Sequence, residues 1–156
     1  MRLCEGCRLR KSRRFPGRFR ARGRHTAVVG MGCNLGDCAR RFERVVAYLQ
    51  KGRRVQVKAT SPLLLNPPFG YRDQPFFLNG VMVLQTALDP FALLRYLLWT
   101  EKRFGRKRLF ANAPRTLDLD IIFYDQTRLR TRRLRLPHPG WQSRPSVTIP
   151  LMLLGG

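Results

Sequence analysis

Two windows of helical period, each set between runs of strand period, limit what this chain can fold into more than any other feature. In residues 38–50, Phe42, Val45, Val46 and Leu49 recur at i, i+3, i+4 and i+7, the stripe of a helix with one buried face. Asp37 stands ahead of it as N-cap and Gly52 closes it. The second window, "FALLRYLLWTEKRF", follows Asp89–Pro90, a cap residue with proline at the first helical position, and ends at Gly105. Around these windows, "TAVVGMG", "RRVQVKATSPLLL", "FFLNGVMVLQT" and "LDLDIIFY" read as strands. The order strand, helix, strand, strand, helix, strand predicts an α+β, ferredoxin-like βαββαβ sandwich. Its antiparallel sheet would carry two main helices on one face.

The last of these strands is unusual for a protein with a formal charge of +22 and only nine carboxylates. Alternation puts Leu117, Leu119, Ile121 and Phe123 on one face, and Asp118 and Asp120, followed by Ile122 and Tyr124, on the other. Two carboxylates at i and i+2 lie about 6.5 to 7 Å apart. Unpaired, they would repel by roughly 2 to 3 kcal/mol at an effective dielectric near 20. A cation therefore belongs beside them: Arg115, another basic side chain or a divalent metal. With the leucine face packed on the helices, the carboxylates turn to the uncovered side of the sheet, where a ligand would lie.

Charge also divides the chain. Residues 1–25 hold ten Lys/Arg against Glu5 alone, and predict a mobile basic arm ahead of a single domain over residues 26–156. Removing such an arm should leave turnover nearly unchanged. The remainder still carries 21 basic and eight acidic groups, so an anionic partner is expected: nucleic acid, a nucleotide or a phosphorylated metabolite. No apolar run approaches the ~20 residues that span a membrane, and the first residues lack the apolar core of a signal peptide, which points to the cytoplasm. Cys4, Cys7, Cys33 and Cys38 lack zinc-ribbon spacing, and reduced thiols are the expected state. "NPPFGYRDQP" reads as a loop, and the segment beyond residue 127 as one or two short strands among proline-broken pieces.

"GMGCNLGD", "DQPFFLNGVMVLQT", "EKRFGRKR", "APRTLDLDII" and "LPHP…SRPSVTIPL", in this order and spacing, resemble the 6-hydroxymethyl-7,8-dihydropterin pyrophosphokinases of folate biosynthesis. The resemblance covers about residues 27 to 152. It implies transfer of the terminal pyrophosphoryl unit of ATP to the pterin hydroxymethyl group, with release of AMP, by a monomer. By the same resemblance, Asp118 and Asp120 hold two Mg²⁺ ions, and Arg115 belongs to the catalytic loop. Arg106, Arg108, His138, Arg144 and Glu101 would serve the nucleotide, and Asn66, Pro67, Phe69, Phe77 and Asn79 the pterin. The chain departs from the family's pattern in places. "FANAPRT" is one residue shorter than the usual catalytic loop and lacks its tryptophan, Cys33 replaces a serine, and Ser146 stands where an aromatic is common, with Trp141 as the alternative stacking ring.

Other classes fit less well. RNA binders share the topology, and the arm could contact nucleic acid nonspecifically through phosphates. Yet Asp118 and Asp120 would repel phosphate without a metal, and the aromatic signature of RNA-recognition sheets is missing. A catalytically dead relative is the third reading, and intact Arg115, Asp118, Asp120, His138 and Asn79 argue against it.

Overall fold

In a computed structural model, which describes residues 3–68, 70–106, 110–111 and 113–154, the two helical windows fold as their periods predict. The elements run β1 (Arg8–Arg10), β2 (Gly17–Arg18), β3 (His25–Cys33), α1 (Cys38–Gly52), β4 (Val55–Thr60), β5 (Leu63–Asn66) and β6 (Phe77–Thr86). They continue with α2 (Pro90–Arg103), β7 (Asp118–Tyr124), β8 (Leu129–Arg130), β9 (Arg135–Leu136) and α3 (Pro145–Leu153). Asp37 caps α1 by accepting from the Arg40 N–H at 3.1 Å, and Asp89 caps α2 by accepting from the Ala92 N–H at 2.8 Å. The buried face of α1 is Phe42, Val45, Val46 and Leu49, the four residues of the sequence stripe. Arg53 (φ 60°), not Gly52, takes the left-handed position that ends the helix.

β6 is central. It pairs antiparallel with β3 on one side and, along its length, with β5 and then β4 on the other, while β7 pairs antiparallel with β3. The path β4-β6-β3-β7 is the ferredoxin-like order, all antiparallel, as expected. Fully buried Ala27, Val29, Val57, Leu84 and Leu117 meet the stripes of α1 and α2 in one core. No helix among the described residues is long and apolar enough to cross a membrane.

Four expectations are corrected. First, β7 carries a bulge: Val28 faces Phe123 while Val29 faces Ile121, leaving Ile122 as the extra residue. Alternation therefore flips beyond it. Tyr124 enters the helix-side core and its hydroxyl donates to Leu88 O, whereas Phe123 packs edge-on against Trp141, ring centroids 4.9 Å apart.

Second, the segment expected to be a mobile arm is bound to the domain. β1 pairs with β5, β2 pairs with β4, and Phe15 is fully buried against Phe42 at 5.9 Å between centroids. Glu43 on α1 anchors it. Its Oε2 accepts from Ser12 Oγ at 2.6 Å and from the Arg14 N–H at 2.7 Å, and its Oε1 from Arg14 Nη1 at 3.0 Å. Burial pushes the Glu43 carboxyl up, but the hydrogen bonds from Ser12 and Arg14 outweigh it and hold the group below its ordinary value. A carboxyl lowered by folding adds stability that is complete above the unfolded value, near pH 4.3, and is lost as pH falls through the folded one. Glu43→Gln should therefore lower the Tm at pH 7, and the gap to the parent should shrink below about pH 4. A gap that persists unchanged at pH 3 in thermal melts would contradict this account.

Third, the four cysteines are paired, Cys4 with Cys7 and Cys33 with Cys38, because each turn brings the Cα atoms to 5.2 and 5.7 Å, inside disulfide range. Fourth, the last proline-broken piece is helical. Pro145 opens α3 at its first turn, where no N–H is needed, and Pro150 is accommodated inside it. α3 lies against β5 and β6.

Candidate active site

A cleft of about 580 Å³ opens on the sheet face away from α1 and α2, and its floor is set by strand register. Asp118 on β7 lies opposite Gly32 on β3, which lies opposite Asn79 on β6; Asp120 lies opposite Gly30. The two glycines keep the row open. A Cβ on Gly32 would stand 3.0 Å from Asn79 Oδ1, a contact too tight for that amide. Carboxylate and amide are thus held two strands apart, about 10 Å, across a bare floor.

At the acidic end, Asp118 finds its cations in protein. Oδ1 accepts from Arg106 Nη1 at 3.2 Å and Oδ2 from Arg115 Nη1 at 3.0 Å. Arg106 also donates to Leu117 O at 2.9 Å, and its buried Nε has no partner among the described residues. Asp120 is half-buried, and its side chain makes no hydrogen bond or ion pair among the described residues. Burial, then the neighbouring Asp118, pushes its carboxyl up to about 6, against the pull of Arg144, Arg115 and Arg106. Arg144 is exposed at the cleft wall. His138 is outside the lining; its N–H donates to Ile122 O at 2.8 Å at the bulge. Burial and Arg144 hold its imidazole below the ordinary value, with Asp118 opposing, so the ring is largely neutral at pH 7.

At the other end, Asn79 Nδ2 donates to Asn66 Oδ1, and Pro67 and Phe77 complete the wall. The Phe77 ring carries the Arg115 guanidinium 5.3 Å from its centroid, which links the two ends. Eight of the residues expected from sequence therefore share the cleft: Asn66, Pro67, Phe77, Asn79, Arg115, Asp118, Asp120 and Arg144. Phe69 and Arg108 lie outside the described residues. Glu101 does not line the cleft; it is buried, and its Oε2 accepts from the Leu119 N–H at 2.7 Å, tying α2 to β7. Trp141 turns to Phe123 instead of the cleft, while Ser146 lines it.

Sequence reasoning missed Asn34. This buried amide accepts from the Arg115 N–H at 2.9 Å and donates to Gln74 Oε1 at 2.8 Å and Pro75 O at 3.1 Å. It fixes the backbone of Arg115 against the "NPPFGYRDQP" loop. The polar residue inside the "GCNLG" turn was the available signal.

An acid pair, one member held by two arginines, at one end, and an amide with an aromatic ring at the other, place this sheet among enzymes that handle phosphate rather than among RNA-binding modules. Comparison with known proteins narrows the class. Residues 28–155 match the family model described as 7,8-dihydro-6-hydroxymethylpterin-pyrophosphokinase. The chain is 40% identical over 131 residues to the 2-amino-4-hydroxy-6-hydroxymethyldihydropteridine pyrophosphokinase of Campylobacter jejuni, covering 84% of this chain and 83% of that one. It is 40% identical over 146 residues to the Helicobacter pylori protein of the same name, covering 91% and 90%. The Bacillus subtilis protein of that name is 36% identical over 125 residues, covering 80% and 75%. The chain belongs to the 7,8-dihydro-6-hydroxymethylpterin-pyrophosphokinase family.

Proposed function

We propose that the chain transfers the terminal pyrophosphoryl unit of ATP to the hydroxymethyl group of 6-hydroxymethyl-7,8-dihydropterin, giving the pterin diphosphate and AMP. The row Asp118–Gly32–Asn79 carries this reading, since it joins a phosphate-handling end to an amide-bearing end on one open floor. In the transfer, the hydroxymethyl oxygen bonds to the β phosphorus. The bond from that phosphorus to the oxygen bridging to the α phosphate breaks, AMP leaves with that oxygen, and the hydroxyl proton passes to solvent.

The acid pair fits Mg²⁺. Among the described residues no cluster of three or more His, Cys, Asp or Glu could hold a metal, so Asp118 and Asp120 would leave most positions to phosphate oxygens and water, as Mg²⁺ prefers. Two such ions, when bound, supply charge neutralisation on the phosphates. The chain's own residues do the rest. Arg115 and Arg106 orient Asp118, and Arg144 presents a cation at the wall for phosphate oxygens. Neutral His138 donates its one ring N–H, on Nδ1, to Pro139 O at 2.9 Å and keeps Nε2 as an acceptor, so it adds no charge to the site. Asn79, Asn66 and Phe77 hold the heterocycle so that its hydroxymethyl arm points along the row.

The test is nucleotide product analysis: protein, Mg²⁺ and ATP, with and without 6-hydroxymethyl-7,8-dihydropterin. Pterin-dependent AMP is expected, and ADP, or no AMP from folded protein, would overturn the reading. Asn79→Ala should weaken pterin binding by about tenfold or more, about 1.4 kcal/mol, with ATP affinity little changed. Equal loss for both ligands in fluorescence titrations would remove the amide from the pterin end.

A further inference from the structure

The family match begins at residue 28, yet the segment before it reaches the same cleft. β1 runs antiparallel to β5 with Arg10 opposite Leu63 and Arg8 opposite Leu65. That ladder delivers the chain to the Asn66–Pro67 end of the cleft, where Cys4, Glu5 and Cys7 join the lining. The turn they form is closed twice, by the Cys4–Cys7 disulfide and by the Cys7 N–H donating to Cys4 O at 2.9 Å. Gly6 at its tip is left-handed (φ 73°), and a Cβ there would stand 3.1 Å from Pro67 Cγ. The turn is therefore seated on the pterin-side loop and held in shape. Behind it, Glu43 and the buried Phe15 hold the segment to the domain.

Glu5 is the one acid among ten cations in residues 1–25. It sits at the end of the cleft away from the metal-binding pair, where a carboxylate meets no phosphate. The nearby amide group has already spent a donor, because Asn79 Nδ2 donates to Asn66 Oδ1. That bond also occupies Asn66 Oδ1, and Asn66 Nδ2 donates to Pro67 O at 3.0 Å, so the side-chain acceptors left at this end are Asn79 Oδ1 and the Glu5 carboxylate. Its complement is a heterocycle edge that offers N–H donors side by side, an exocyclic amino group next to a ring N–H, which a carboxylate accepts in pairs.

We propose that Glu5, presented by the disulfide-closed turn, is a specificity-determining residue that accepts from the amino and ring N–H edge of the bound pterin. The inference rests on the pterin reading of the cleft. It predicts that discrimination, not chemistry, depends on Glu5.

Full-chain protein and its Glu5→Ala variant would be compared for 6-hydroxymethyl-7,8-dihydropterin and for its analogue lacking the 2-amino group, by fluorescence titration and by AMP release. The parent should prefer the amino-bearing pterin, and Glu5→Ala should cut that preference about tenfold. KM for the pterin should rise, while kcat and KM for ATP stay unchanged. Glu5→Gln, which keeps one acceptor, should fall between them. An unchanged preference in folded Glu5→Ala protein that still makes AMP overturns the role of Glu5 alone. Altered preference in protein that binds pterin but releases no AMP keeps Glu5 and overturns the proposed reaction. Parent protein that binds neither compound overturns both.

Discussion

Asp120→Ala is expected to lower Mg²⁺-dependent AMP formation at least a thousandfold while leaving the fold intact. Both halves of this result follow from the site. Asp120 faces Gly30 across the sheet and its carboxylate has no hydrogen-bond or ion-pair partner among the described residues, so nothing in the protein loses an anchor when it goes. Its carboxyl is pushed up to about 6 by burial and by Asp118, which marks an anion the fold holds at a cost. The melting temperature of metal-free variant protein at pH 7.5 should therefore equal or exceed that of the parent. Asp118 alone cannot hold both ions in its place, because each of its oxygens already gives one lone pair to an arginine, Oδ1 to Arg106 and Oδ2 to Arg115. The loss corresponds to about 4 kcal/mol of transition-state stabilisation, within reach of one metal-binding carboxylate. Turnover within tenfold of the parent, in folded protein, would sink the metal role.

Phe15→Ala should cost about 3 to 5 kcal/mol of stability, although residue 15 lies in a segment with ten cations. The ring is fully buried, tilts against Phe42 and reaches toward β6 at Gly80. Its loss opens a cavity between the N-terminal segment and α1. For a chain of this length each kcal/mol moves the midpoint by about 2 to 4 °C, so a fall of about 6 to 20 °C is expected in thermal melts. Deleting residues 1–24 removes the same ring together with the Glu43 anchor and the pairing to β4 and β5, and should do at least as much. A truncation that melts with the parent would return the segment to the status of a loose arm.

The helices and most of the cleft lining were legible in the chain for one reason, that each is a local pattern. A stripe such as Phe42, Val45, Val46 and Leu49 needs only the helical period, and Asp89–Pro90 needs only the first turn of the helix it starts. Asp118 and Asp120 declare a shared face through the period of a strand, and the order of strands and helices leaves few ways to build a sheet. The sequence blocks that resemble the pyrophosphokinases carry most of the cleft for the same reason, being contiguous motifs.

What tertiary structure alone decided depends on partners remote in sequence. Phe15 looks like a stray aromatic in a polar segment until α1 supplies Phe42 and Glu43. Tyr124 and Phe123 exchange faces because β7 must absorb Ile122 opposite Val28 and Val29, and no period within β7 records that bulge. Glu101, a plausible nucleotide ligand by its motif, is drawn inward by an unpaired N–H of Leu119 at the start of β7. Glu5 enters the cleft only because β1 finds an edge on β5. Periods along a chain report which face a residue shares; the free energy of pairing distant edges settles what that face meets.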